Sequence, residues 1–218
     1  MKAMTKKKTL KIESPILPAD LPIQPKPDLA VQDFVEMGII QDCVFDDRDV
    51  DRVTFEKIIF KNVTFAGTSW TRMELTDTIF EKCDFSNAEW TDAVIHRTEF
   101  RDCKMIGMQL TGATIRNVLI DNALADYASL RVSNTKQFIL QDSSLSRADF
   151  CFAKLQKTEL SRCNIDKAQF SGTPLSGIDL SDCEFNGLSV NIEDLKGCII
   201  SREQAYVFAA LFGLVVNE

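Results

Sequence analysis

The residues able to do chemistry are few in kind and unusually spaced. A single histidine, His96, stands beside Arg97. A histidine base needs a nucleophile within hydrogen-bonding reach and a third group to orient it. Nothing regular places a nucleophile there, so a solvated imidazole is the simpler reading and a triad-type hydrolase is set aside. Seven cysteines raise the prospect of metal ligation or disulfides, and five of them (Cys43, Cys83, Cys103, Cys163 and Cys183) are separated only by multiples of 20. A zinc centre needs four ligands converging on one point, whereas such a ladder is a line. Buried thiols, kept reduced in a cytosolic setting, are the expected outcome. Cys151 alone is expected to face outward, where a thiol can react. These residues imply no metal, cofactor or catalytic site.

The spacing of 20 leads to the elements that carry it. The stretch "CDFSNAEWTD", residues 83–92, reads in fives, CDFSN then AEWTD. Every fifth residue from Ile40 to Ile200 is large and apolar except Ala125 and Thr135. Two residues before each lies a second column that is mostly small or apolar, among them Cys83, Ala88, Ala93, Cys103 and Ala113. Neither a helix, with its period of 3.6, nor a strand, with its period of 2, places two inward residues in every five. Trp70 and Trp90 are again 20 apart, so the unit is a square coil of four fives, with like residues stacked on like. About eight coils at roughly 4.8 Å make a rod of about 40 Å. The only departure is "ADYASLRVSNTKQF", around Ala125 and Thr135, which either bulges or lets Phe138 fill the space that Thr135 leaves.

Length and composition agree with such a body. The chain has 218 residues, 45% hydrophobic and 26% charged, enough for a sizeable core and too apolar for disorder. No apolar run follows the basic start, so no membrane span or signal peptide is expected, and the cytoplasm is the expected compartment. The formal charge is −7, yet Lys2, Lys6, Lys7, Lys8 and Lys11 precede any acid, leaving −12 on the rest. That balance argues against direct nucleic-acid binding. Pro15, Pro18, Pro22, Pro25 and Pro27 forbid a long helix near the start, so this segment either crosses the rod's end or stays disordered.

"ADFCF" at 148, "CDFSN" at 83, "CEFNG" at 183, "SSLSR" at 143 and "AEWTD" at 88 resemble the A(D/N)LXX motif of the pentapeptide-repeat family. The resemblance spans roughly residues 38–200. It implies an all-β solenoid, a right-handed quadrilateral β-helix. The division expected is an N-terminal Pro-rich segment and cap over 1–37, the repeats over 38–200, and a C-terminal helix and tail over 201–218. In that last stretch, "SREQAYVFAALFGLVVNE", Ser201 and Gln204 form a capping box and Gly213 is the expected stop. Tyr206, Phe208, Leu211, Phe212, Leu214, Val215 and Val216 carry more apolar surface than closing one coil needs.

A tail of this kind after a pentapeptide rod resembles the Qnr-type branch, and the Pro-rich start resembles its chromosomal members in Gram-positive bacteria. That resemblance implies a tail-to-tail homodimer. It also implies a rod that mimics duplex DNA, binds the type II topoisomerases DNA gyrase and topoisomerase IV, and protects them from quinolones. Gram-negative members carry loops that interrupt the repeats; none interrupts the fives here, so no loop residues carry over. The outward charges fit a mimic on one side only. The side centred on Phe80, Phe100, Leu140 and Leu180 carries Asp42, Glu81, Glu99, Asp102, Asp121, Asp142, Glu159, Asp179 and Asp182 against Lys61, Lys82, Arg101 and Arg162, a net of −5. Its neighbour, centred on Phe55, Leu75, Ile95 and Leu155, carries seven cations (Lys57, Arg97, Arg116, Lys136, Lys154, Lys157 and Lys196) against Glu56, Glu74, Asp77 and Asp194, a net of +3. The partner surface expected is Glu99, Asp102, Asp121, Asp142, Glu159, Asp179 and Asp182. Surface charge also serves solubility alone, so the rival is a scaffolding rod that displays a surface to some other cytosolic protein.

Overall fold

The period of five becomes a parallel β-solenoid in a computed structural model, which describes residues 10–45 and 49–215. Seven eight-residue strands recur every 20 residues: β1 (Phe34–Gln41), β3 (Thr54–Lys61), β5 (Glu74–Glu81), β6 (Val94–Arg101), β7 (Thr114–Asp121), β8 (Asn134–Gln141) and β9 (Lys154–Ser161). They pair in parallel in that order, Phe60 on Phe80, Phe80 on Phe100 and Phe100 on Ile120. Two short strands, β2 (Asp49–Asp51) and β4 (Ser69–Thr71), form a second ladder. Isolated bridges such as Asp84 with Lys104 and Gln169 with Ser189 complete the other sides. These strands mark six turns, and bridges as far as Asp179 with Ile199 continue the spacing toward the C-terminal end.

Each long strand turns a corner, so its two halves lie on adjacent sides of the coil. The residue at the bend takes a left-handed conformation: Lys57, Asp77, Arg97, Asn117, Gln137 and Lys157 have φ between 44° and 57°. Asn and Asp tolerate that region best among residues with a side chain. Inside the coil the large column stacks ring on ring. Phe80 lies 4.8 Å from Phe60 and 4.9 Å from Phe100, nearly parallel to both, and Trp70 stacks on Trp90 at 5.8 Å. The phenylalanine centroid distances match the strand spacing because the ladder fixes them.

The irregular stretch does not bulge. Ile115, Thr135 and Leu155 stay in register, and Phe138 is fully buried. The buried Thr135 hydroxyl hydrogen-bonds Thr158 Oγ1 at 2.9 Å and lies 3.2 Å from the Lys154 carbonyl, so its polarity is satisfied inside.

Different devices close the two ends. At the first, Ile23 bridges Ile39, with Gln24 N donating to the Ile39 carbonyl and Ile39 N to that of Pro22. Leu29 then packs on the core, and Lys26 Nζ lies 5.5 Å from the Phe45 ring. At the other, the capping box is reciprocal: Gln204 N donates to Ser201 Oγ and Ser201 N to Gln204 Oε1. Gln204 Nε2 also donates to the carbonyls of Leu180 and Cys183, which ties the helix α1 (Gln204–Leu211) to the last coils. Gly213, at φ +76°, ends it: Leu214 N reaches the Ala209 carbonyl and Gly213 N that of Ala210. Those two bonds define a Schellman stop, which needs the left-handed residue that glycine provides.

Candidate partner-binding face

The acidic side is a ladder in which most carboxylates meet a partner on a neighbouring coil. Asp42 accepts from Asn62 Nδ2 at 2.8 Å, Asp102 from Asn122 Nδ2 at 2.6 Å and Asp121 from Gln141 Nε2 at 2.9 Å. Asp142 takes both Nε and Nη2 of Arg162 at 2.6 Å, and this bidentate pair holds its carboxyl below the usual range. Asp182 accepts from Ser161 Oγ at 3.1 Å, and Asp179 from the backbone N–H and hydroxyl of Ser181. Asp102, Asp142 and Asp182 are exposed; Asp121, Glu159 and Asp179 are half-buried. Glu99 is a correction: it is 6% exposed, paired with Arg101, and presents no outward carboxylate.

The charge is uneven along the length. From Asp42 to Asp102 the four acids meet Lys61, Lys82 and Arg101, and Glu81 bridges to Lys61 at 3.5 Å and Arg101 at 3.4 Å. From Asp121 to Asp182 five acids meet only Arg162, a net of −4. Counting charges by side alone did not reveal this gradient.

Residues 10–16 occupy a place that neither reading of the N-terminal segment anticipated. They run along the flank of the rod, across the coils: Ile16 N donates to Asp77 Oδ1 at 2.8 Å, Glu13 N to Asn117 Oδ1 at 3.2 Å and Leu10 N to Glu159 Oε2 at 3.0 Å. Asp77, 3% exposed, also receives Nε and Nη2 of Arg97. Burial pushes the Asp77 carboxyl up, but Arg97 and the Ile16 N–H outweigh it and the net direction is down. The strap has no repeat period, so the sequence carried no signal for it.

Comparison with known proteins decides the family. A model of the pentapeptide repeat region matches residues 73–150, and one of eight pentapeptide repeats matches residues 143–182. The chain belongs to the pentapeptide-repeat family. The uncharacterized protein YisX of Bacillus subtilis (strain 168) is 38% identical over 127 residues, which is 58% of this chain and 60% of YisX. The match therefore spans less than two thirds of that relative. Among solved structures, HetL of the cyanobacterium Nostoc sp. strain PCC 7120, a pentapeptide repeat protein involved in heterocyst differentiation regulation, is 17% identical over 78% of this chain and 84% of its own, with a TM-score of 0.41. A trypsin-treated form of QnrB1, a plasmid-mediated fluoroquinolone resistance protein, is 21% identical over 90% of this chain and 97% of its own, with a TM-score of 0.36.

The pentapeptide rod also decides where the remaining candidates lie. In the tail, Tyr206, Leu211, Phe212, Leu214 and Val215 are exposed, Val215 at 89%. Phe208 is not among them: it is buried edge-on against Phe185 at 5.8 Å and belongs to the cap. Val216 and Lys2, Lys6, Lys7 and Lys8 lie outside the described residues. Cys151 is also a correction, since it is buried with Asp149, Arg131 and the Ser171 backbone around it, and burial first and Asp149 second push its thiol up. All seven cysteines are free, and Cys83 is raised far above its ordinary value by the neighbouring Cys103 thiol and by burial. Among the described residues no group of three or more His, Cys, Asp or Glu could hold a metal ion, and no helix is long and apolar enough to cross a membrane. His96 is half-buried, with Nε2 3.5 Å from Arg97 Nη1; burial and that guanidinium lower its pKa.

Proposed function

We propose that this protein is a cytoplasmic, non-enzymatic mimic of duplex DNA that binds type II topoisomerases, DNA gyrase or topoisomerase IV, and protects them from fluoroquinolones. The observation that carries the reading is the density of charge on the second half of the acidic side. Its net of −4 between Asp121 and Asp182 spans three steps of the coil, or about 14 Å at the strand spacing. That is one charge per about 3.6 Å, against one per about 3.4 Å for a single DNA strand. A basic DNA-binding surface would meet Asp102, Asp121, Asp142, Glu159, Asp179 and Asp182 at spacings it already accommodates, and Glu99 drops out of the set. Two rods would join through Tyr206, Leu211, Phe212, Leu214 and Val215, doubling the length presented. No nucleic acid is bound directly and no membrane is involved.

The deciding experiment is gyrase supercoiling with graded amounts of the protein, with and without ciprofloxacin. Rescue in the drug, or inhibition without it, is the expected result; no effect at any dose would end the topoisomerase reading. A scaffolding role for another cytosolic protein would then take its place. One observation favours that rival. Val132 and Phe152, on the side opposite the acidic one, are more than half exposed and hold left-handed φ of 59°, which costs a β-branched or bulky residue backbone strain.

A further inference from the structure

The net-positive side of the rod divides at the same level as the acidic one. In its first half the cations are held by acids of their own side: Lys57 pairs with Glu56, and Arg97 places Nε and Nη2 on the Asp77 carboxylate at 2.6 and 2.8 Å. The next four stretches of that side read TIRN (114–117), NTKQ (134–137), KLQK (154–157) and PLSG (174–177), four cations and no acid. Arg116, Lys154 and Lys157 are exposed, and Lys136 is half-buried. Among the described residues none of the four has an ion pair.

The ladder puts these charges in register. Arg116 on β7 faces Lys136 on β8, and β9 then brings Lys154 opposite Asn134 and Gln156 opposite Lys136. Like charges directly across neighbouring strands repel and cost stability. Elsewhere on the rod a cation answers a carboxylate one coil away, as Arg72 answers Asp51, Lys104 answers Asp84 and Arg162 answers Asp142. The strap leaves the balance as it is, because its Lys11 and Glu13 cancel and Glu13 acts on His96 and Arg97, in the paired half. From Arg116 to Lys157 is two steps of the coil, about 9.6 Å, a distance that extended peptide covers in three residue steps, about 10 Å. The amides of Asn134 and Gln156 stand among the cations as further donors.

We propose that the side from Arg116 to Lys157 is a docking surface for a short, extended, acidic segment of a partner protein. Charge complementarity selects an acidic occupant, and the length of the strip selects a short one. Duplex DNA, with one charge per about 3.4 Å along each strand, outruns the strip within about three phosphates. Asp121, Asp142 and Glu159 on the adjoining side then repel the rest of such a polyanion. A peptide with a few carboxylates stays within the strip, where each exposed pair contributes little and the set acts together. The surface stands apart from the topoisomerase reading, which uses only the adjoining acidic side.

The test uses the full chain and a fluorescein-labelled hexaglutamate, followed by anisotropy at low ionic strength. Arg116→Gln with Lys136→Gln, Lys154→Gln and Lys157→Gln should weaken binding by about tenfold or more. Gln137, at φ 57°, shows that the left-handed bend held by Lys157 accepts glutamine. Lys61→Gln with Lys82→Gln, Arg101→Gln and Lys104→Gln removes the same charge from the first half of the rod and should weaken binding by less than about threefold. Equal losses would mean that net charge alone acts and would overturn the proposal, as would a wild type that binds no hexaglutamate. Should the quadruple variant not fold, Arg116→Gln with Lys136→Gln takes its place, with an expected loss of about threefold, and an unchanged affinity again overturns it. A thymidine oligonucleotide of matched charge should bind about threefold or more weakly than hexaglutamate. Equal or tighter binding would assign the surface to nucleic acid and end the acidic-peptide reading.

Discussion

The two halves of the rod share one backbone and differ in what fills it and what covers it. From Phe45 to Phe100 the interior is a continuous stack of phenylalanine and tryptophan rings, and the acidic side outside it is largely neutralised by Lys61, Lys82 and Arg101. From Ile115 to Leu145 the interior is mostly aliphatic, with Phe138 its one buried ring and Ala125 and Thr135 in the large column. Over the same coils and the next two, Asp121 accepts from Gln141, and Asp179 and Asp182 from Ser181 and Ser161, while Asp142 pairs with Arg162. The side chain that meets each carboxylate decides its rung. A lysine or arginine there cancels the charge, while an amide or hydroxyl orients the carboxylate without an opposing charge of its own. The solenoid therefore carries a nearly neutral half and a more acidic half of this side on one unchanged geometry.

The sharpest way to break that contrast is in the ring stack. Phe80→Ala removes a 1%-exposed ring from between Phe60 and Phe100. It should cost about 3–5 kcal/mol in denaturant unfolding, and Tyr127→Ala, at an exposed position in the second half, about 0.5 kcal/mol or less. Comparable losses at the two positions would mean that the rings add nothing special. Next comes the tail. Phe212→Asp with Leu214→Asp places charges on two exposed apolar residues beyond the cap, and should weaken self-association by about a hundredfold, seen as monomers in sedimentation. A wild type already monomeric at micromolar concentration would sink the dimer.

Neutralising Asp121, Asp142, Asp179 and Asp182 should weaken binding to gyrase by about tenfold or more. Neutralising Asp42, Glu81 and Asp102 should weaken it by less than about threefold, because that half cancels its own charge. Equal losses would erase the distinction between the halves. The smallest effect is one of pH. Burial and Arg97 hold His96 below its ordinary value, so the unfolded chain takes the proton first. Stability is then full above about pH 6.5 and falls as the pH drops toward the folded value. His96→Gln should flatten that part of the pH profile in thermal unfolding.

The interior was legible because its period is set by volume: Phe60, Phe80 and Phe100 recur at 20 and have nowhere else to go. The Ser201 and Gln204 cap was legible because its hydrogen bonds are local. The exterior was less so. Glu99 stands in an outward column, yet Arg101, two residues along the same strand, draws it down to the surface of the coil. Cys151 is outward by register and buried by its neighbours. Phe208 looks like its exposed companions in the tail until Phe185 is seen beneath it. The strap was out of reach altogether, since its partners lie 61 to 149 residues away and follow no repeat of its own.

The central claim is that the half from Asp121 to Asp182 engages a basic topoisomerase surface, and the salt dependence of gyrase binding tests it most directly. Affinity measured across a range of potassium concentrations should fall steeply with salt for the wild type, and the slope should shrink when Asp121, Asp142, Asp179 and Asp182 are neutralised. Binding that is absent at every salt concentration, or a slope identical in the quadruple variant, would contradict it.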